Sequence, residues 1–142
     1  VPLPPERTTL VDLGAGMGRV VLHAARRPFR QIVGVEISPA LLEVAKDNRD
    51  AYRGPRACSD IRLVRADAAT FAFPRGDLVV YLYNPFTAAV LDAVLDRLAA
   101  RRGETVLLYH TPVEAARVDG HAGFVAVADA GVGRIWRTRR EL

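Results

Sequence analysis

Three glycines fall at alternate positions, Gly14, Gly16 and Gly18, and an aspartate, Asp12, stands two residues ahead of the first. Glycine lets a backbone turn sharply and approach a ligand with no Cβ in the way. A helix that opens just after such a loop offers unpaired N–H groups and the positive end of its dipole. Loops of this kind serve dinucleotides, phosphates and nucleosides alike, so the spacing has to discriminate. The dinucleotide fingerprint wants a third glycine where this chain carries Arg19. Asp12 also argues against an anionic ligand, because like charges repel. Its carboxylate suits a ligand that bears an ammonium and a sulfonium. The plainer alternative is a tight turn in which Asp12 accepts hydrogen bonds from its own backbone.

Two more acids follow at similar places. Glu36 closes the run Val33-Gly34-Val35-Glu36. A carboxylate there can accept charge-assisted hydrogen bonds from both hydroxyls of a ribose, which specifies an adenosine-like ligand without saying which one. Asp67 follows Val64-Arg65-Ala66, with Ala68 behind it. Its side chain can accept from the exocyclic amine of adenine while the Ala68 N–H meets the ring. Taken alone, an aspartate after a strand is more often a turn residue. Taken with the other two, it is the third acid at the carboxyl edge of three consecutive strands, where open α/β sheets bind ligands. A fourth group, Tyr81-Leu82-Tyr83-Asn84-Pro85-Phe86, closes the next apolar run. Its plain reading is a strand stopped by proline with Phe86 packing. His110 ends a further strand, where an imidazole could take a proton from a nucleophile. His23 and His121 read as surface residues.

The elements that must position these groups alternate between strand and helix patterns, which argues for a parallel sheet covered by helices. Strands are predicted at Thr8 to Ala15, Gln31 to Ile37, Ile61 to Ala66, Asp77 to Tyr83 and Thr105 to His110. The fourth is nearly all apolar, as for a strand covered on both faces. Gly18 to Arg27 repeats its apolar residues Val20, Val21, Ala24 and Ala25 at helical spacing. Ser38-Pro39 supplies an N-cap and a first helical residue for a helix that buries Leu41, Leu42 and Ala45. Thr87 to Arg101 is helical, with Val90, Leu91, Val94, Leu95 and Leu98 on one side. Pro112 to Arg117 makes a turn or two of helix. The segment from Asp67 to Gly76 is too short for a covering helix. Phe124 to Ala130 and Arg134 to Arg140 are strands joined by Gly131-Val132-Gly133, and so short a turn makes them antiparallel.

With these residues in place, the chain resembles the class I S-adenosylmethionine-dependent methyltransferases. The carriers are Asp12-Leu13-Gly14-Ala15-Gly16-Met17-Gly18, Glu36 and Asp67-Ala68, and the likeness runs from Thr8 to Arg140. It is greatest to small bacterial members whose first helix begins Gly-Arg, as Gly18-Arg19 does here. The resemblance implies a Rossmann-like α/β fold. Its seven-stranded mixed sheet has order 3-2-1-4-5-7-6, the last strand antiparallel, with helices on both faces. It implies S-adenosylmethionine as cofactor, with S-adenosylhomocysteine as product. Asp12, Gly14 and Gly16 would hold the methionine part, Glu36 the ribose, and Asp67 with Ala68 the adenine; Ala15, Ile37 and Asn84 would also lie at the cofactor. Asn84-Pro85-Phe86 resembles the Asn-Pro-Pro-Tyr/Phe motif of methyltransferases that act on planar amines and amides. That implies catalytic positioning of a nitrogen nucleophile by Asn84, Pro85 and Phe86. One proline is missing here, so Phe86 falls one residue early. The residues leave two other readings open: an NAD(P)-binding oxidoreductase, and a module that binds S-adenosylmethionine without catalysis.

Composition bounds the rest. The chain has 142 residues, half of them hydrophobic and a quarter charged, which suits one globular domain over residues 1–142. Helices that precede the first strand in a parent gene would be absent from it. The lone cysteine, Cys58, excludes an internal disulfide and a cysteine-based zinc site, and no metal is expected. A reducing cytoplasm is the natural setting. No apolar run approaches the roughly 20 residues of a membrane span, and the first residues do not form a signal peptide. The net charge is +4, yet only Lys46 of the 20 basic residues is lysine. That resembles the codon bias of a GC-rich genome more than a phosphate footprint. The densest run, Arg134, Arg137, Arg139 and Arg140, reads as a solvated strand end, with a nucleic-acid or acidic partner as the alternative. The methyl acceptor, a small molecule or a protein, is not specified.

Overall fold

The computed structural model describes residues 3–83 and 86–139, and for residue 130 only the backbone. After a 3-10 turn at Pro5–Arg7, the chain runs β1 (Thr8–Leu13), α1 (Arg19–Ala24), β2 (Gln31–Glu36), α2 (Pro39–Ala51), β3 (Ile61–Arg65) and β4 (Asp77–Leu82). It continues α3 (Ala88–Ala99), β5 (Thr105–His110), α4 (Ala115–Asp119), β6 (Phe124–Ala130) and β7 (Gly133–Thr138). The seven strands form one sheet of order β3-β2-β1-β4-β5-β7-β6. β1 to β5 pair in parallel, and β7 lies antiparallel between β5 and β6. This is the expected topology. The boundaries differ by a few residues. α1 stops at Ala24, short of Arg27, and β7 spans Gly133–Thr138 where Arg134 to Arg140 was predicted.

Strand alternation divides the interior in two. Val11, Leu13, Val33, Val35, Leu78, Val80, Leu82, Leu107 and Tyr109 face one side, where α3 brings Leu91, Val94, Leu95 and Leu98. Leu10, Ile32, Ile61, Val79 and Val106 face the other, where Val21 and Ala25 come from the α1 side. Burying the four α3 residues removes their side chains from water, a contribution of roughly 1.5–3 kcal/mol each. Leu41, expected inside, is 40% exposed. Ser38 caps α2 by accepting from the Leu41 N–H, and Leu42 and Ala45 are the residues that α2 buries.

Gly34 sets how closely α1 and its loop approach the sheet. A Cβ there would lie 2.8 Å from Leu63, 3.0 Å from Val21 and 3.1 Å from Ala15. Gly34→Val is expected to destabilise the fold by about 3 kcal/mol or more, since overpacking a filled interior forces the backbone apart. Urea titration measures this; an unchanged midpoint would show that α1 can move away at no cost.

Among the described arginines at the β7 end, Arg134 and Arg137 are half-buried and paired, while Arg139 is exposed as expected of a solvated strand end. Arg134 pairs with Asp119 at 3.0 Å and lies over the Trp136 ring. Arg137 pairs with the buried Glu104. The Arg139 Nε donates to the Phe124 carbonyl. Asp119 also accepts from the Trp136 indole, and the bonds from Arg134 and Trp136 hold its carboxyl below the usual range. The run therefore ties the β6–β7 hairpin to α4 and β5. Arg140 lies outside the described residues.

Candidate active site

The sheet register brings the chemistry together. Asp12 is level with Gly34 on one neighbouring strand and Tyr81 on the other, and Tyr81 is level with Leu108. Partners at one level share a face, so Asp12 and Tyr81 point to the α1 side. Glu36, Tyr83 and His110 stand two residues further along their strands, or just past the strand's end, and share that face. None of these groups is neighbour to another in sequence.

The glycine loop is closed upon itself. Gly14, Gly16 and Gly18 all adopt positive φ. The Gly14 and Ala15 N–H groups both donate to the Val35 carbonyl, at 2.8 and 2.9 Å. The Gly18 N–H donates to the Ala15 carbonyl. The Gly16 N–H donates to Glu36 Oε1 at 2.9 Å. Four loop N–H groups are thus spent inside the protein. A pyrophosphate cradle needs such groups turned toward the ligand, and these four are turned inward. The N–H groups of the first turn of α1 keep no partner among the described residues, as expected of a helix start without a side-chain cap.

Glu36 is buried and works on both sides. Its other oxygen, Oε2, accepts from the Ser38 N–H at 2.8 Å. One carboxylate therefore joins the glycine loop to the start of α2. Each oxygen keeps a further lone pair. Glu36 is thus a buried group of the sheet's edge and not a surface glutamate.

Asp12 is 3% exposed. Burial pushes its carboxyl up, and the negative charge of Glu36 adds to this, so its pKa rises from 3.8 to about 7. No cation among the described residues offsets either cause. A buried acid held in this state is complementary to a cationic ligand, and it is not the backbone-bonded turn residue of the alternative.

Asp67 is exposed and shapes a turn: its Oδ1 accepts from the Ala69 N–H at 2.9 Å, and its carbonyl accepts from the Phe71 N–H. Its second oxygen accepts no hydrogen bond from a described residue. Glu36, Ile37, Asp67, Ala68, Gly14 and Gly16 line a cavity of about 500 Å³. Phe86 lines this cavity too, and packs against the α3-side core. Asn84 and Pro85 lie outside the described residues. Asp12 opens on a second cavity of about 1140 Å³, with Tyr81, Tyr83 and His110. Gly14 and Tyr83 line both, so the three acids border two cavities that meet at these residues. Tyr83, Leu41 and Val90 were not singled out in the sequence as site residues. Counting β4 by twos from the buried Val79 would have placed Tyr81 and Tyr83 on the Asp12 face.

A family model described as a methyltransferase domain matches residues 10–101, well over half of the chain. The chain belongs to this methyltransferase family. It is a class I enzyme whose methyl donor is S-adenosylmethionine. Solved structures with the same fold include a magnesium protoporphyrin IX methyltransferase from Synechocystis PCC 6803 with the donor bound. That protein is 16% identical, with 93% of this chain and 69% of that one covered and a TM-score of 0.67. A putative methyltransferase, yhhF, from Escherichia coli is 19% identical, with coverage of 94% and 78% and a TM-score of 0.70. The 23S rRNA methyltransferase ErmE is 20% identical, with coverage of 99% and 64% and a TM-score of 0.65. None of the curated proteins matches the methyltransferase in sequence. No helix among the described residues is long and apolar enough to cross a membrane.

Proposed function

We propose that the methyltransferase holds its donor across the meeting point of the two cavities. Asp12 receives the ammonium of the amino-acid part, Glu36 the ribose, and Asp67 with Ala68 the adenine. Gly14, Ala15 and Gly16 form the floor, and Ile37 covers one side. The observation that carries this reading is the pairing of a buried, uncompensated Asp12 with a Glu36 whose oxygens retain acceptor capacity at the same edge. The residues fit the group: a cation satisfies the buried Asp12, which would repel a phosphate. When bound, S-adenosylmethionine supplies an electrophilic methyl group on sulfur. The protein's own part is to bind, to orient and to keep water away, which is an entropic service to a bimolecular transfer.

The acceptor is a small molecule or a macromolecule; the similar structures include enzymes named for a porphyrin and for ribosomal RNA. A nitrogen nucleophile remains the reading for Asn84, Pro85 and Phe86. The buried thiol of Cys58 supports a reducing, cytoplasmic setting.

Calorimetric titration with S-adenosylhomocysteine tests the assignment. Binding in the micromolar range is expected, with none for NADH; the reverse order of affinity would overturn it. Asp67→Asn keeps an acceptor oxygen and the turn, so the affinity is expected to change by less than about threefold, roughly 0.7 kcal/mol. A loss of a hundredfold would mean that the Asp67 charge, rather than an acceptor atom, is what the ligand needs.

A further inference from the structure

We propose that the larger cavity is the acceptor site and that it takes a small planar anion, a ring bearing a carboxylate or a phosphate. The proposal rests on the assignment of the donor to the Asp12–Glu36 edge. Three independent features of the cavity carry it.

The first is aromatic. Tyr83 and His110 have ring centroids 4.8 Å apart, and Tyr81 and His110 6.4 Å apart. The rings are tilted at 54° and 47°, so they form an angled wall rather than a closed stack. Tyr83 is 58% exposed. A large aromatic left open beside two others at a strand end offers a face for a flat ligand.

The second is charge. Arg19 and Arg26 extend from α1 and its C-terminal edge into the lining of the same cavity. Neither makes an ion pair or a side-chain hydrogen bond with a described residue. The described arginines of the β7 end are all spent within the fold. Asp12 is the one carboxylate among the described residues of this lining, and the donor's cation satisfies it. The donor's carboxylate can take one of the two guanidinium groups, which leaves the other for a second ligand, and guanidinium groups match carboxylate and phosphate geometry.

The third is backbone strain. Thr111, directly after His110, has φ 47°, the only positive value for a non-glycine residue among those described. A β-branched residue there is a true outlier and persists only where its surroundings hold it. The Thr111 N–H donates to the Val132 carbonyl at 2.6 Å, which fixes the chain as it leaves β5. His110, the residue before this turn, lies against Tyr83 in the cavity lining. Strain of this kind clusters where a side chain must be aimed.

Protein saturated with S-adenosylhomocysteine and titrated calorimetrically with 2-aminobenzoate, UMP and the uncharged 2-aminobenzamide tests the proposal. At least one anion is expected to bind with a submillimolar Kd, and 2-aminobenzamide at least tenfold more weakly than 2-aminobenzoate. The ratio of the two anions tells an aromatic acid from a nucleotide. Arg26→Gln is expected to weaken the anion five- to tenfold with S-adenosylhomocysteine affinity held within twofold, and His110→Ala to weaken both the anion and the amide. If S-adenosylhomocysteine binds but neither anion does, or if acid and amide bind alike, the acceptor assignment alone falls. If S-adenosylhomocysteine itself does not bind, the donor assignment falls and takes this one with it.

Discussion

Asp12→Asn is expected to make the ligand-free methyltransferase more stable at pH 8 while weakening S-adenosylhomocysteine at least tenfold. The folded pKa of about 7 stands above the unfolded value of 3.8. The folded state therefore holds the proton more tightly. Its contribution to stability is fully present below pH 3.8, is lost as pH rises toward 7, and is gone above that. Near pH 8 the ionised, buried carboxylate costs on the order of 4 kcal/mol relative to a neutral group, since a tenfold change in proton affinity is worth about 1.36 kcal/mol. The amide escapes most of that cost. Thermal unfolding should show the variant above the wild type at pH 8, with the difference closing toward pH 4. Binding should run the other way. The ammonium of S-adenosylhomocysteine needs the ionised acid, so wild-type affinity should fall by up to about tenfold per pH unit below 7, whereas the variant's amide, which does not titrate, should leave affinity flat. A variant that is less stable at pH 8, with unchanged affinity, would falsify the role given to Asp12.

Much of this site was legible in the residues, for a physical reason. A glycine loop between strand and helix, with an acid before it and acids ending the next two strands, is fixed by local chain geometry, and the sheet order follows from the alternation of elements. Short-range rules also placed Ser38 as a helix cap, which the structure bears out. What escaped depends on contacts distant in sequence. That the loop donors are taken by Val35 and Glu36 is a tertiary fact, since both partners lie about 20 residues away. Leu41 is apolar yet 40% exposed, because the buried side of α2 is set by Leu42 and Ala45 and Leu41 stands about 100° round the helix from Leu42. The basic run at β7 looked solvated because its acids, Asp119 and Glu104, come from elements upstream. Periodicity counts neighbours on one element, and a charge is neutralised by whatever the fold sets beside it.

The second large effect is expected at Glu36, and it separates scaffold from contact. Glu36→Ala leaves the Gly16 and Ser38 N–H groups without their acceptor. Hydrogen bonds to a charged group contribute about 1.5–3 kcal/mol each, so the loop and the start of α2 should loosen together. Affinity for S-adenosylhomocysteine should fall about a hundredfold, roughly 2.7 kcal/mol. Glu36→Gln is the sharper test. It keeps the shape and one acceptor but removes the charge that helps to raise Asp12. The Asp12 pKa should then drop below about 7, though burial keeps it above 3.8. The pH at which binding begins to weaken should move down with it, even as the affinity at pH 8 declines. A double-mutant cycle of Asp12→Asn with Glu36→Gln should therefore be non-additive, because the first removes the group on which the second acts. A pH midpoint that stays in place in Glu36→Gln would mean that burial alone sets the Asp12 proton, and that the two acids serve the donor independently.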